Sequence, residues 1–424
     1  MKGLMILFLP LLILCSCVNQ TESVEVKRHT EKSSLTLMIY MAADNDLESY
    51  ALENLNQMER AVCKGINVLA LVDRSEAYDE TDGNWTDTRL YKICKDNSGS
   101  ARLVSERLDC PLLGLSKENA TELDMANPNV LSGFIEYVKE SFPSQKYALI
   151  IWGHGTGWRY AAELNSPFAQ GRAIAIDDKT GSYMSVYNLG NAIRGHGLNV
   201  IGFDTCFGGV LENVYELKDC AQYTVACAGV TPSCGWDYKS LLEKLGSDEI
   251  DSIQIATFMA ESSPVNSTIF INEKLEELMN SFETFSKELA RRIENEKERK
   301  DVFDLLFNLK SYAYSQYPCD MYLDLESMAN LYIESEDDFI KSAAKNLHSA
   351  ISDATYSKEN NCEVGLHFIP LVATRTTASL HSFDYIKNQN KKDQCAFIKE
   401  SEWWVPTLEG NSGSVLDKLF YSSF

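Results

Sequence analysis

Continuous apolar runs alternate with segments of helical periodicity through the first 250 residues. The apolar runs predict buried strands at residues 35–41, 67–72, 147–152, 200–203 and 223–228. A shorter strand at residues 90–93 is predicted to pair with residues 101–104. The periodic segments predict helices at residues 47–62, 132–140, 184–193 and 208–217. Strands that are apolar throughout and alternate with helices are typical of a mainly parallel sheet covered by helices on both faces. The pattern therefore predicts an α/β three-layer sandwich.

The pattern changes near residue 250, where long charged helical segments begin. They occupy residues 271–295, 301–312 and 335–352, and an apolar run at residues 364–371 predicts one more strand. We therefore predict a sheet domain at residues 34–250 and a mostly helical C-terminal region at residues 251–424, packed on the sheet domain.

The N-terminus has the features of an export signal. Lys2 precedes an apolar run at residues 4–14 that is too short for a transmembrane helix. The run ends in Leu14-Cys15-Ser16-Cys17, which resembles a bacterial lipobox. We expect residues 1–16 to be a lipoprotein signal peptide, Cys17 to carry the lipid, and residues 17–33 to form a tether. The alternative is an ordinary secretory signal that is cleaved nearby.

Charge and cysteine spacing exclude several function classes. The net charge of −22 and the lack of a basic stripe argue against nucleic acid as a partner. The 12 cysteines form no CxxC pair, and none of the six histidines stands at zinc-ligand spacing from a cysteine. The cysteine and histidine spacing therefore assigns no metal ligand, and most of the thiols are expected to be buried and inert.

Two of the predicted strands end in glycine-rich polar turns that carry reactive side chains. His154 follows the strand at residues 147–152, and Cys206 follows the strand at residues 200–203. Functional sites of parallel sheets form at the carboxyl ends of strands, so the two turns are expected to meet. An imidazole beside a thiol lowers the pKa of that thiol and makes it a nucleophile. The backbone N–H groups of Gly155 and Cys206 are candidates for an oxyanion hole.

Three motifs together carry a family resemblance. They read YMAADNDL at residues 40–47, IIWGHGTGW at residues 150–158, and FDTC at residues 203–206 followed by Glu212. Through them the chain resembles the clostripain family of cysteine peptidases, in the clan that also holds caspases, gingipains, legumains and separases. The resemblance covers most of residues 35–405.

The resemblance implies a caspase-like fold and assigns roles to single residues. By it, Cys206 is the nucleophile and His154 the catalytic base or acid, and the family requires no third residue. Family members cleave after Arg or Lys, which implies an acidic S1 pocket that binds the cationic side chain. Asp204 is the first candidate for that pocket and Asp237 the second.

Two further properties follow from the resemblance. Some relatives cleave themselves between the His and Cys motifs, and Arg172 and Lys179 are the candidate sites here. Calcium dependence occurs in parts of the family, and the aspartate pairs at residues 44 and 46 and at residues 177 and 178 are candidate oxygen ligands. No other cofactor is expected. Peptides or proteins that contain Arg or Lys are the expected substrates.

Two other functions compete with an envelope-anchored peptidase. One is a catalytically silent surface lipoprotein that keeps the fold and binds a partner. The other is a different acyl-transfer hydrolase, such as an amidase, that uses the same two residues. The presence of both His154 and Cys206 argues against the silent protein.

Overall fold

The computed structural model describes most of the chain. It covers residues 33–158, 174–246, 250–312, 321–357, 361–368, 396–397, 401, 403 and 415–421. The expected signal peptide, Cys17, nearly all of the tether and the candidate cleavage site Arg172 lie outside these residues. Among the described residues, no helix is long and apolar enough to cross a membrane. The cysteines within them are all free thiols.

The strands of the described residues are, in chain order, β1 (Ser33–Ala43), β2 (Ile66–Arg74), β3 (Arg89–Lys92), β4 (Glu106–Leu108), β5 (Ser144–Trp152), β6 (Ile174–Asp177), β7 (Ser182–Met184), β8 (Leu198–Asp204), β9 (Ala221–Ala226), β10 (Thr268–Ile271), β11 (Ser311–Tyr312), β12 (Met321–Asp324), β13 (Thr355–Tyr356) and β14 (Gly365–Phe368).

The α-helices of the same residues are α1 (Glu48–Ala61), α2 (Pro128–Ser141), α3 (Val186–Ile193), α4 (Leu211–Glu216), α5 (Tyr238–Leu245), α6 (Ser252–Ser262), α7 (Leu275–Arg292), α8 (Glu296–Phe307), α9 (Leu325–Asn330), α10 (Asp338–Ala354) and α11 (Val415–Tyr421).

The central sheet has nine strands in the order β13-β10-β9-β8-β5-β1-β2-β3-β4. Its five middle strands, β9, β8, β5, β1 and β2, are parallel, and the strands at both edges are antiparallel. This arrangement confirms the mainly parallel sheet that the apolar runs predict. Strand β3 pairs with β4, whereas residues 101–104, which we expected to pair with it, form a bend and a loop.

Each face of the sheet packs against its own layer of helices. Along β1, Met38 and Tyr40 contribute to the apolar cluster that contains residues of α2, α3 and α7. The alternate residues Ile39 and Met41 contribute to the cluster that contains residues of α1, α5 and α6. Because successive side chains of a strand point to opposite faces, this one apolar run supplies both cores.

Residues beyond position 250 also belong to the central sheet. Strand β10 pairs with β9 through Thr268 and Ala226, and β13 extends the same edge. A second sheet, β11-β12-β14, lies in the C-terminal region and touches the first part of the chain at the bridge between Val210 and Gly365. The region after residue 250 is therefore continuous with the sandwich, and the expected boundary at that residue does not separate sheet from helices.

Candidate active site

The register of the parallel strands aligns the two reactive turns. Trp152 at the end of β5 pairs with Asp204 at the end of β8, and Met41 of β1 pairs with Trp152 from the other side. His154 comes two positions after Trp152, and Cys206 comes two positions after Asp204. The two residues therefore lie level at the same edge of the sheet. The N–H of Gly153 donates to the carbonyl of Asp204 at 3.3 Å, which carries the pairing into the turns.

The His154 loop (residues 153–158) and the Cys206 loop (residues 205–210) are in direct contact. A Cβ atom built on Gly155 would lie 2.4 Å from the carbonyl oxygen of Cys206 and 2.8 Å from the Cβ of Thr205. Only glycine fits at that distance, because real side chains do not approach so closely. The two reactive residues are therefore held on touching backbones.

Hydrogen bonds fix the turn that carries Cys206. Phe207, directly after Cys206, has a φ of +54°, a left-handed conformation that costs energy for a bulky residue. Its N–H donates to the carbonyl of Gly229 at 2.7 Å, and the N–H of Gly209 donates to Cys227 at 2.7 Å. Such strain is typical of turns that present a reactive side chain.

The Cys206 thiol is half-buried and receives a backbone hydrogen bond. The N–H of Thr231 donates to Sγ of Cys206 at 3.3 Å. The thiol donates in turn to the carbonyl of Thr231 at 3.5 Å. The backbone of Gly155 forms an antiparallel bridge with Ile174. The role of Gly155 and Cys206 as an oxyanion hole stays a prediction.

A carboxylate that the sequence did not single out as a partner of His154 contacts its imidazole. Nε2 of His154 lies 2.6 Å from Oδ1 of Asp46, in the turn that follows β1. The hydrogen bond with His154 lowers the pKa of Asp46. The signal for this contact was the motif at residues 40–47, because β1 is the neighbour of β5 in the sheet.

Asp204 is the last residue of β8, two positions before Cys206, and it is only 4% exposed. Its Oδ2 accepts hydrogen bonds from the N–H of Trp236 at 3.0 Å and from the hydroxyl of Tyr238 at 2.9 Å. Its Oδ1 is buried and has no hydrogen-bond partner among the described residues. Burial raises the pKa of Asp204 to about 7, although those two hydrogen bonds oppose the rise.

The other two charged candidates occupy positions that give them local roles. Asp237 is exposed, and its carboxylate accepts from the N–H of Ser240 as the N-cap of α5. Lys179 lies in the tight turn between β6 and β7, where its ammonium pairs with Glu122 at 3.0 Å and Glu76 at 3.4 Å. The N–H of Lys179 also donates to Oδ2 of Asp44 at 3.2 Å, which holds its backbone in the hairpin.

A cluster of three carboxylates lies beside the site, at the ends of β1 and β2. Oxygen atoms of Asp44, Asp73 and Glu122 lie within 4.8 Å of one another. Asp73 is fully buried, and its Oδ2 has no hydrogen-bond partner among the described residues. The sequence pointed to Asp44 but not to Asp73 or Glu122. Glu122 lies in an irregular segment, so no pattern in the sequence places it near Asp44. Of the other expected calcium ligands, Asp46 binds His154, while the Asp177 oxygens accept backbone N–H groups.

The C-terminal region supports the His154 loop from the other side. The hydroxyl of Tyr322, in β12, donates to the carbonyl of Thr156 at 2.6 Å. A Cβ built on Gly157 would lie 2.2 Å from that hydroxyl oxygen, so the loop and the tyrosine are in close contact. Trp158 ends the loop, is 2% exposed, and packs edge-on against His367 of β14.

Comparison with known proteins identifies relatives of this arrangement. The clostripain family model matches residues 39–405. Clostripain of Hathewaya histolytica is 30% identical over 247 residues, which are 52% of this chain and 45% of that protein. The chain thus matches less than half of the length of that relative.

Two solved structures share the fold at 17% identity. An inactive zymogen C11 protease from Parabacteroides distasonis has a TM-score of 0.58 and covers 86% of this chain and 99% of its own. A secreted C11 cysteine protease from Bacteroides thetaiotaomicron, in complex with an irreversible peptide inhibitor, has a TM-score of 0.55. The similarity covers 83% of this chain and 97% of that protein's chain. These similarities confirm the expected fold class.

The burial of Asp204 predicts a pH-dependent cost in stability. Its pKa is about 7 in the folded protein and about 4 in the unfolded chain, so the unfolded state loses its proton first as the pH rises. Between pH 4.5 and 8, Asp204 should therefore lower the free energy of unfolding by up to about 3 kcal/mol. Asp204→Asn keeps the acceptor oxygen and removes the charge. Urea unfolding at both pH values should show a smaller decrease for the variant, and equal decreases would contradict the assignment.

Proposed function

Because the chain belongs to the clostripain family of cysteine peptidases, we propose that it is an endopeptidase that cleaves peptide bonds after Arg or Lys. The observation that carries this proposal is the level placement of His154 and Cys206 on touching loops at the carboxyl edge of the sheet. A rigid sheet edge holds a nucleophile and a base at fixed positions, which is what acyl transfer requires.

The proposed reaction has two stages. Cys206 loses its thiol proton to His154, and the thiolate attacks the carbonyl carbon of the peptide bond. The protonated His154 then donates that proton to the leaving amine, so the C–N bond breaks and a thioester remains. Water next loses a proton to His154 and attacks the thioester, which releases the acid and the Cys206 thiolate. The N–H groups of Gly155 and Cys206 would stabilise the oxyanion in both stages.

The state of Asp204 supports a cationic P1 residue. A buried carboxylate oxygen without a partner is unfavourable, and a guanidinium or ammonium group would satisfy it. In the low dielectric of a closed pocket such a pair discriminates strongly against neutral side chains. Asp237, which is exposed and caps α5, is the second candidate and would act from the surface.

Fluorogenic peptides that end in Arg, Lys, Asp or Leu test the proposal directly. We expect the purified protein to cleave after Arg and Lys, and Cys206→Ala to abolish the activity. Asp204→Asn should lower kcat/KM for Arg peptides by roughly 30-fold or more, because it removes one partner of a buried charge pair. For the unmodified protein, kcat/KM for Arg peptides should rise with pH through about 7 as Asp204 ionises, and this rise should be absent in Asp204→Asn.

Other outcomes would favour the competing functions. Cys206-dependent cleavage after Leu or Asp would keep the peptidase and contradict the role of Asp204. Hydrolysis of small amides without peptide cleavage would favour the amidase. No turnover, together with no labelling of Cys206 by an Arg-directed acyloxymethyl ketone, would favour a silent binding protein.

We also propose that the protein cleaves itself after Arg172. The segment between the His and Cys motifs is flanked by Trp158 and Ile174, which are both 2% exposed. Ile174 pairs with Gly155, so the two ends of the segment lie close together. After cleavage within residues 159–173, the flanking residues Trp158 and Ile174 would therefore still hold both fragments in the fold. The ion pairs and hairpin geometry of Lys179 disfavour cleavage there, because a peptidase binds an extended and accessible chain.

Incubation of the active protein tests self-cleavage. We expect two bands on a denaturing gel with a new N-terminus at Ala173, while native mass stays unchanged because both fragments remain packed. Cys206→Ala and Arg172→Ala should stay uncut at this position. Lys179→Ala is the matched control and should be cut normally. A single band from the active protein after prolonged incubation would contradict the proposal, and cleavage after Lys179 would move the site.

We further propose that the mature protein is held at the bacterial envelope by a lipid on Cys17. The lipobox-like sequence before Cys17 supports this anchor. The Bacteroides thetaiotaomicron relative is described as secreted, which is compatible with export of this chain.

The carboxylate cluster supports a calcium site that stabilises this edge of the sheet. Carboxylate oxygens are the ligands that Ca²⁺ prefers. Oδ2 of Asp73 is buried without a hydrogen-bond partner among the described residues, so it is available to bind an ion. We propose that Asp44, Asp73 and Glu122 hold the ion, with Lys179 releasing Glu122 when it binds. The ion would neutralise charge next to the loop that carries Asp46.

Calcium binding can be measured without enzymatic activity. Isothermal titration of Cys206→Ala with calcium alone should show one site, and saturating calcium should raise the melting temperature. Asp73→Asn in the same background should lose both effects. Asp219→Asn, which changes an exposed aspartate far from the cluster in sequence, is the control and should keep both. Equal binding by the Asp73 variant would contradict the site.

A further inference from the structure

We propose that Asp46 is a positioning residue for His154. Its carboxylate fixes the orientation and tautomer of the imidazole and stabilises the imidazolium that forms during turnover. This inference deepens the proposed peptidase function and rests on it. It adds a third side chain to His154 and Cys206, a pair for which the family resemblance requires no further residue.

The contact itself is a short charge-assisted hydrogen bond. Nε2 of His154 and Oδ1 of Asp46 are 2.6 Å apart. Bonds of this kind are roughly twice as strong as neutral ones, and they tighten as the histidine gains a proton. The side chains are 33% and 67% exposed, so as a mere surface ion pair this contact would contribute little to stability. Its effect is therefore expected in the orientation of His154.

The turn that presents Asp46 is rigid although the carboxylate is exposed. The neighbouring Asn45 is 1% exposed, and its Nδ2 donates to the carbonyls of Ala42 and Ile176, each at 3.0 Å. Its Oδ1 accepts from the N–H of Leu47 at 3.0 Å. On the far side of the turn, Glu48 is fully buried against Arg74 at 2.6 Å. Fixed residues on both sides thus hold the Asp46 backbone in place.

Strand order places Asp46 and Cys206 on opposite sides of His154. Strand β5 carries His154 and lies between β1, which leads to Asp46, and β8, which leads to Cys206. Nε2 is committed to Asp46 on the β1 side. A carboxylate accepts only, so the neutral imidazole carries its proton on Nε2. Nδ1 then keeps a lone pair that can take the Cys206 proton and later return it to the leaving amine.

Substitution of Asp46 tests this role by separating turnover from binding. Asp46→Asn keeps an acceptor oxygen without the charge, and Asp46→Ala removes both. We expect kcat on an Arg peptide to fall about 10-fold in the Asn variant and about 100-fold in the Ala variant, within the range that general acid–base groups contribute. KM should stay within about twofold, because the proposed role of Asp46 is to orient the imidazole and not to bind the peptide.

A matched control and a spectroscopic readout exclude a purely structural effect. Asp219 is 66% exposed and pairs with Lys218 at 3.1 Å, so Asp219→Asn breaks a similar surface pair away from His154 and should keep kcat. The ¹⁵N shifts of the His154 ring, assigned with His154→Gln, should show a proton on Nε2 in the unmodified protein. The same shifts should show a mixture of tautomers in Asp46→Ala.

The outcomes separate this inference from the proposed function. Unchanged kcat and an unchanged tautomer in Asp46→Ala would overturn the role of Asp46. A decrease in kcat that Asp219→Asn reproduces would overturn it too, because any surface charge would then suffice. If the unmodified protein shows no peptidase activity, the proposed function fails, and the ¹⁵N shifts alone decide whether Asp46 sets the tautomer.

Discussion

The parallel register of β1, β5 and β8 is the constraint on which the candidate site depends. It sets Met41, Trp152 and Asp204 side by side and delivers the following turns to one edge of the sheet. A one-residue slip in either pairing would send every side chain of a strand to the opposite core. Two apolar cores, one on each face, oppose such a slip, and so the packing of the whole sandwich fixes the geometry of a few loop residues.

Several features at this edge of the sheet destabilise the folded protein locally. Phe207 is left-handed, and Asp204 and Asp73 are buried carboxylates with an unpartnered oxygen. Each feature destabilises the folded chain taken alone, and each lies within or beside the two reactive loops. A buried carboxylate without a cation is unfavourable, and a fold retains one where a bound cationic side chain or metal ion can pair with it. Local strain and unsatisfied charge therefore mark the same region that the motifs mark.

The sequence predicted the fold better than it predicted the contacts of the site. Long apolar runs identify buried strands because a strand covered on both faces must be apolar at every position. Short polar strands such as β4 carry no such signal, and its pairing was misplaced. The sequence offered Asp46 only as a candidate calcium ligand, since its contact with His154 depends on which strand lies beside β5. Strand order is a property of the tertiary structure that local sequence does not contain.

The contact between Tyr322 and Thr156 bears on how the protein can be divided. The residue that supports the His154 loop is 166 positions later in the chain, in a sheet that begins after residue 310. His154 and the residue that supports its loop thus come from distant parts of the chain. A fragment that ends at residue 250 would keep both His154 and Cys206, yet it would lose an edge of the central sheet and the hydroxyl that contacts the His154 loop. Recombination or truncation can preserve this site only by preserving nearly the entire chain.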